Sequence, residues 1–252
     1  GEVDPESATR RSGHVLLWPA VGGGDADDTG PGSAGWITVK EHGIAQSFDV
    51  RRVMFSRGNV TEKIRFAKLV RTGDVVLDMY AGIGYYALPA LVIGGAAHVH
   101  CREWNPDAAL ALRHNLAANG VAGRATVVEG DSRVVAAETE GRCDRVSLGL
   151  LPSSEGGWRT AVGALRTDRG GFLHVHGNVP DAEQDAWADW VCRRATELAD
   201  AAGRPGWTAA RVHVQRVKGF APRVGHYVAD VFVGPVHARG AACGTEADAE
   251  TD

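Results

Sequence analysis

Asp78-Met-Tyr-Ala-Gly82-Ile-Gly84-Tyr-Tyr86 is the stretch whose reading decides the fold. Asp74-Val-Val-Leu-Asp78, which leads into it, reads as a short strand. Gly82 and Gly84 suit a tight strand-to-helix turn that lets backbone approach a ligand at the helix N-terminus. A G-x-G alone is a weak signal, because such turns also occur without a ligand. The segments that follow sharpen it. Glu103 stands 25 residues beyond Asp78, at the end of the strand-like run His98-Val-His-Cys101. Asp131 follows a third such run, Ala125-Thr-Val-Val-Glu129. Three acids at three successive strand ends line one crevice, although each could instead cap a helix.

Outward from this centre, Arg145–Leu148 and Gly171–Val175 read as further strands, with helical segments between. Residues 106–119 form the clearest helix, with Asn105 as N-cap, Pro106 at the first position and Gly120 just past the end. Residues 181–202 predict a last helix, and Thr208–Val217 and His226–Val233 two strands around a basic loop, Lys218–Gly225. On the N-terminal side, Asn59-Val-Thr-Glu62 has the pattern of a capping box opening a helix through Val70. Val15–Trp18, Trp36–Val39 and Ile44–Val53 read as strands of a small antiparallel sheet. The expected fold is α/β: a mainly parallel, Rossmann-like sheet preceded by a small antiparallel β region. The expected organisation is an N-terminal β region over 1–58 with a low-complexity loop at 21–33, a nucleotide-binding domain over 59–236, and a disordered acidic tail over 237–252.

Composition narrows the classes. The 252 residues are 44% hydrophobic and 23% charged, ample for a sizeable core. The 33 glycines follow no G-X-Y period, which removes collagen. The uncharged run Met79–Ala97 is long enough to cross a bilayer, but its glycines and Pro89 fit a turn and a short buried helix better. No membrane segment and no secretory signal are expected, and Gly1 in place of a Met predicts a missing or processed N-terminus. Cys101, Cys143, Cys192 and Cys243 are widely spaced, which argues against a zinc site or a disulfide framework and fits a reducing, cytoplasmic compartment. The formal charge is −4. Setting aside seven acids (Asp25, Asp27, Asp28, Glu246, Asp248, Glu250 and Asp252) leaves +3, so the body permits a polyanionic partner.

The crevice chemistry disfavours the obvious rival. A dinucleotide site wants a third glycine where Ala87 stands and room for a pyrophosphate, which Asp78 would repel. A nucleoside carrying a cationic amino-acid arm, such as S-adenosylmethionine, suits an acid-rich turn.

Together with Phe55-Ser-Arg-Gly-Asn-Val-Thr-Glu-Lys63-Ile-Arg65, Glu103-Trp-Asn-Pro106, Gly130-Asp131 and Gly149-Leu-Leu-Pro-Ser-Ser-Glu155, these motifs extend a resemblance over about residues 36–235. The sequence resembles the S-adenosylmethionine-dependent tRNA-modifying family that contains the guanine-N1 methyltransferases and the wybutosine-synthesising aminocarboxypropyltransferases. The resemblance implies a class I methyltransferase fold, S-adenosylmethionine as co-substrate, and the anticodon loop of phenylalanine tRNA as partner. It implies cofactor contacts at Ser56, Lys63, Glu103, Asp131 and Ser132, beside Asp78, Gly82 and Gly84 of the turn. Ser132 departs from the Asn expected there.

Within the family, Gly149 replaces the Asn of the methyltransferase branch. The 149–155 segment with Trp158, His174-Val-His176-Gly-Asn178 and Arg216-Val-Lys-Gly-Phe-Ala-Pro222 look like the aminocarboxypropyltransferase branch. The implied reaction moves the 3-amino-3-carboxypropyl group to C7 of 4-demethylwyosine at position 37, with guanine-N1 methylation at the same position as the alternative. A nicotinamide oxidoreductase and a non-catalytic tRNA-binding scaffold are the rival classes. No residue is a secure general base; Glu155 and Asn178 are the weak catalytic candidates. His174 and His176 share one strand face but lack a third ligand, so they read as buried or substrate-facing rather than metal-binding. Trp158 and Phe220 are candidates for base stacking against the commoner fate of core packing.

Overall fold

Val75–Asp78 forms an interior strand, β3, of a seven-stranded sheet in a computed structural model that describes residues 30–134 and 137–238. The other strands are β1 (Trp36–Glu41), β2 (Ile44–Asp49), β4 (His98–Glu103), β5 (Ala125–Glu129), β6 (Arg145–Leu148), β7 (Gly171–Pro180), β8 (Trp207–Ala221) and β9 (Val224–Pro235). The helices are α1 (Val60–Leu69), α2 (Ala87–Val92), α3 (Pro106–Ala118), α4 (Trp158–Ala164) and α5 (Gln184–Ala201). The sheet order is β5-β4-β3-β6-β7-β9-β8, with β1 and β2 paired in a separate antiparallel sheet. From β5 to β7 every pairing is parallel, and β9 and β8 complete the sheet antiparallel. The expected α/β fold, with its small antiparallel region, is what the chain adopts.

Connectivity positions the site. The chain leaves β3 toward β4 and β5, then returns to the other side of β3 for β6 and β7. The order therefore reverses at β3/β6, and the crevice outside their carboxyl ends is where such sheets bind ligands. Val76 and Val99 pack one face of the sheet against α2 and α3, while Leu77, Val146 and Leu173 pack the other against α4 and α5. All of these side chains are buried, which explains why these strands read as apolar runs rather than alternating ones.

The small sheet is fastened to α3 by two asparagines. Asn115 accepts from the Ser47 amide at 2.7 Å and donates to the Ser47 carbonyl at 3.1 Å, and Asn119 does the same with Ala45 at 3.0 and 2.7 Å. These bonds satisfy backbone that a second strand partner would otherwise take.

Several expectations are corrected. The strand from Ile44 ends at Asp49 and not at Val53, because the Asp49 carboxylate turns back to accept from the backbone and guanidinium of Arg51. The capping box does not form: Glu62 accepts from Arg65 at 2.8 and 2.9 Å, and Asn59 makes no cap bond. The basic loop over 218–225 is instead a long hairpin, with β8 running to Ala221 and β9 starting at Val224. Bulges between Arg211/His213, Arg216/Lys218 and Gly219/Ala221 absorb the irregular pattern, and Arg223 closes the turn at φ 58°. Strand β7 is twice its expected length, because pairing with β9 carries it to Pro180. His237 and Ala238 close a short 3-10 turn, not the start of a disordered tail. The Val15–Trp18 strand, the 21–29 part of the low-complexity loop, Cys243 and the tail beyond Ala238 lie outside the described residues. Among the described residues no helix is long and apolar enough to cross a membrane.

Candidate functional site

The carboxyl ends of β3, β4, β5 and β6 open into a cavity of about 620 Å³. Its wall includes Ser56, Lys63, Gly82, Glu103, Asp131, Ser132 and Gly149. The sequence spreads these residues over almost a hundred positions; the parallel sheet gathers them.

The turn after β3 is built as its glycines require. Gly82 and Gly84 adopt φ of 56° and 104°. A Cβ at Gly82 would stand 2.7 Å from the Tyr85 ring, and one at Gly84 2.8 Å from Leu88, so both positions need glycine twice over. Asp78 itself is fully buried, and neither carboxylate oxygen makes a hydrogen bond of good geometry. Burial pushes its pKa up to about 7, against the pull of the nearby Tyr80 amide and Ser147 hydroxyl. Asp78 lies behind the turn and is not itself part of the cavity wall.

Glu103 is half-buried and held by two backbone amides. Gly82 donates to Oε2 at 2.7 Å and Asn105 donates to Oε1 at 2.8 Å. An ionised carboxylate has about four acceptor directions, so these bonds orient Glu103 and leave capacity for a diol.

Asp131 is taken up differently. Arg133 Nε reaches both of its oxygens, at 2.9 and 2.8 Å, and a terminal nitrogen adds a 2.6 Å contact. This pairing holds the Asp131 carboxyl below its ordinary value. The Ser132 hydroxyl donates to the Met79 carbonyl, so its side chain ties the third strand's exit to the first rather than facing a ligand.

Lys63 is not a surface charge. It is 3% exposed, donates to Glu41 Oε2 at 2.9 Å and to the Ser56 carbonyl at 3.3 Å, and lies 4.9 Å from the Tyr85 ring centroid. The small sheet therefore reaches into the site through Glu41. The Ser56 amide donates to the Tyr85 hydroxyl, which donates to the Met54 carbonyl at 2.7 Å.

The 149–156 segment forms the opposite wall. The Pro152 carbonyl accepts from the Asn178 amide, and Ser153 bridges Gly177, which fixes the segment to β7. A Cβ at Gly149 would meet Tyr86 at 3.4 Å, an ordinary contact, so a longer side chain there would project into the cavity. Neither Glu155 nor Asn178 lines the cavity. The Glu155 side chain is half exposed and 3.9 Å from Arg194. Trp158 is buried and donates to Ser154 at 3.0 Å, a core role, whereas Phe220 is 63% exposed.

His174 and His176 point into the protein. His174 bonds Asp230 on β9, and Asp230 pairs with Arg65 at 2.5 Å. Burial alone would raise the Asp230 carboxyl, but His174 and Arg65 outweigh it and hold it well below the usual range. His176 meets His226 at 2.9 Å, and burial lowers His226 to about 4. Arg65, at the end of the Phe55–Arg65 motif, is thus an internal tie between α1 and β9.

Among the wall residues that sequence reasoning did not single out are Trp104, 49% exposed beside Glu103, Arg133, beside Asp131, and Tyr86, under Gly149. A Trp following the second acid is visible in the sequence, but only the fold shows that it stays uncovered.

The comparisons agree with this geometry. The chain is 48% identical over 200 residues to "tRNA wybutosine-synthesizing protein 2/3/4" of Arabidopsis thaliana, covering 79% of this chain and 20% of that one. It is 39% identical over 249 residues to the human "tRNA wybutosine-synthesizing protein 2 homolog", covering 79% of this chain and 55% of that one. The chain thus spans from a fifth to about half the length of these relatives. The crystal structure of M. jannaschii TYW2 in complex with AdoMet superposes with a TM-score of 0.72 at 27% identity, covering 82% of this chain and 89% of that one. P. horikoshii TYW2 in complex with MeSAdo gives 0.70 at 28%, covering 81% and 73%. The TRM5/TYW2 methyltransferase domain matches residues 37–201, a span that holds every wall residue described above. On that match and these identities, the chain belongs to the TRM5/TYW2 methyltransferase family.

Proposed function

We propose that the chain uses S-adenosylmethionine to place a 3-amino-3-carboxypropyl group on C7 of 4-demethylwyosine at position 37 of phenylalanine tRNA. The observation that carries this reading is the cavity at the β3/β6 switch point. It joins an acid-rich nucleoside wall to a 149–156 wall whose first residue has no side chain. Relatives 39–48% identical bear the name of the wybutosine pathway, and the AdoMet and MeSAdo complexes of two TYW2 proteins support the cofactor class.

The residues present fit that cofactor. Glu103, oriented by the Gly82 and Asn105 amides, has acceptor capacity for two ribose hydroxyls. Asp78, buried without a good partner, suits the cationic end. Lys63 lies where a ligand carboxylate would compete with Glu41 for its ammonium. When bound, the sulfonium supplies an electrophilic γ-carbon and methylthioadenosine as the leaving group.

The chain's own task is orientation, because a sulfonium has three electrophilic carbons of similar reactivity and geometry selects among them. Lys63 and Ser56 hold the amino-acid arm at the α1 end, while Glu103 holds the ribose across the turn. Gly149 leaves room between Tyr86 and the incoming base for a four-carbon arm. The electron-rich C7 donates its own pair, the γ-carbon–sulfur bond breaks, and the C7 proton passes to water, so no protein nucleophile enters.

For the RNA, the tip of the β8–β9 hairpin presents exposed Phe220 with Lys218 and Arg223, a combination suited to stacking and phosphate contact at an anticodon loop. A cytoplasmic setting goes with that substrate.

Incubation with S-adenosylmethionine and hypomodified phenylalanine tRNA, followed by nucleoside mass spectrometry, tests the reading. Methylthioadenosine and an aminocarboxypropylated base are expected. S-adenosylhomocysteine with methylated guanine would assign the chain to the methyltransferase branch instead. Gly149→Asn should impair transfer by filling the space above Tyr86.

A further inference from the structure

We infer that Arg133 is a two-position guanidinium that couples the two substrates: it holds Asp131 and Trp104 until adenosine arrives there, and then passes to a phosphate of the RNA backbone. The inference rests on the transferase reading above and adds a specific coupling to it.

Three observations carry it. First, Arg133 occupies two groups whose chemistry suits an adenine, a carboxylate that can accept from its exocyclic amine and an exposed ring that can stack on it. Its Nε and a terminal nitrogen saturate both Asp131 oxygens, and its Cζ lies 5.9 Å from the Trp104 ring centroid. One carboxylate and one exposed indole cannot serve a guanidinium and an adenine in the same place at once. Second, the displacement is local. The Arg133 carbonyl accepts from Thr160 at 2.8 Å, which anchors the main chain, while the side chain is 59% exposed. An exposed ion pair is weak, about 0–1 kcal/mol, so a ligand can break it at little cost. Third, the released group has one direction in which to be useful. Arg133 Cδ lies 3.5 Å from where a Cβ would stand on Gly156, at the edge of the 149–156 wall that faces the second substrate. A guanidinium without its carboxylate pairs best with a bidentate oxyanion, and an RNA phosphate offers one.

Such an exchange makes the two ligands cooperative, and linkage makes the effect reciprocal. Each ligand gains from the other because the Asp131–Arg133 pair has to open only once.

The test uses the chain with unmodified phenylalanine tRNA and methylthioadenosine, which carries the adenosine without reacting. Fluorescence anisotropy at fixed salt gives the tRNA affinity with and without saturating nucleoside. Wild type should bind tRNA about fivefold more tightly with the nucleoside, the lower end of typical couplings. Arg133→Ala should lose that gain while binding methylthioadenosine at least as tightly as wild type by calorimetry. A variant that keeps the gain, or one that loses methylthioadenosine binding, overturns the inference. So does a wild type that binds the nucleoside but shows no gain, or no tRNA binding; the cofactor assignment survives both. Failure of wild type to bind either methylthioadenosine or S-adenosylmethionine would sink the transferase reading itself.

Discussion

Two regions of the molecule use the same residue types to opposite ends. At the carboxyl ends of β3–β5, Asp78 is buried without a good hydrogen bond, Glu103 has acceptor capacity to spare, and Asp131 is held by an exposed arginine. Under α1 and between β7 and β9, Glu62, Arg65, Asp230 and His174 are also charged or polar and also buried, yet each meets a partner within the chain. Burial of an ionisable group alone does not distinguish them, since Asp78 is as buried as Asp230. Completeness of pairing does: the second region is a closed tie between helix and sheet, and the first is left open for a ligand.

The comparison can be broken at its closed end, where the effect is largest. Arg65→Ala would leave Asp230 and Glu62 buried without their cation and should cost about 3–5 kcal/mol of stability, read from urea midpoints. A loss below 1 kcal/mol would mean the tie is not closed.

At the open end, Glu103→Ala removes an acceptor of two ligand hydroxyls and should weaken S-adenosylmethionine binding by about 1.5–3 kcal/mol, measured by calorimetry. Its fold should survive, since the Gly82 and Asn105 amides that lose this acceptor lie at the rim of the cavity, where water replaces it.

Asp78 sharpens the contrast through pH. Its folded pKa of about 7 lies above the ordinary value of 3.8, so between these values the folded chain keeps a proton that the unfolded chain has released. Stability from this group therefore falls as pH rises through that window, by on the order of 2 kcal/mol between about pH 5 and 7. His226, lowered to about 4 from 6.5, gives the opposite slope between those two values. The difference between wild type and Asp78→Asn is accordingly the quantity to follow, and it should flatten above about pH 7. A pH-independent difference would show that Asp78 is ionised throughout.

The smallest effect is expected at the hairpin tip. Phe220→Ala, exposed, should change stability by less than about 0.5 kcal/mol yet weaken tRNA binding. That binding should decline steeply with salt, because phosphate contacts release counterions.

The sequence by itself determined the fold class and the address of the site. Val75–Leu77 read as a strand and Gly82 and Gly84 as the turn after it, and the structure agrees: both glycines take positive φ and lie against Tyr85 and Leu88. Asn105-Pro106 and Gly120 marked both ends of α3 by local chemistry alone. What depended on distant partners was not legible. Glu62 looked like half of a capping box and instead serves Arg65, which ties to Asp230, 165 residues beyond Arg65 along the chain. Lys63 was implied as a cofactor contact, but nothing in the sequence showed that Glu41 and Tyr85 close over it. The basic run at 218–225 looked like a loop, because its bulged pairing with β9 hides the alternation that marks a strand. Only the tertiary structure decided which charges were paired and which were left open, because pairing depends on a few ångströms between segments that the sequence keeps far apart.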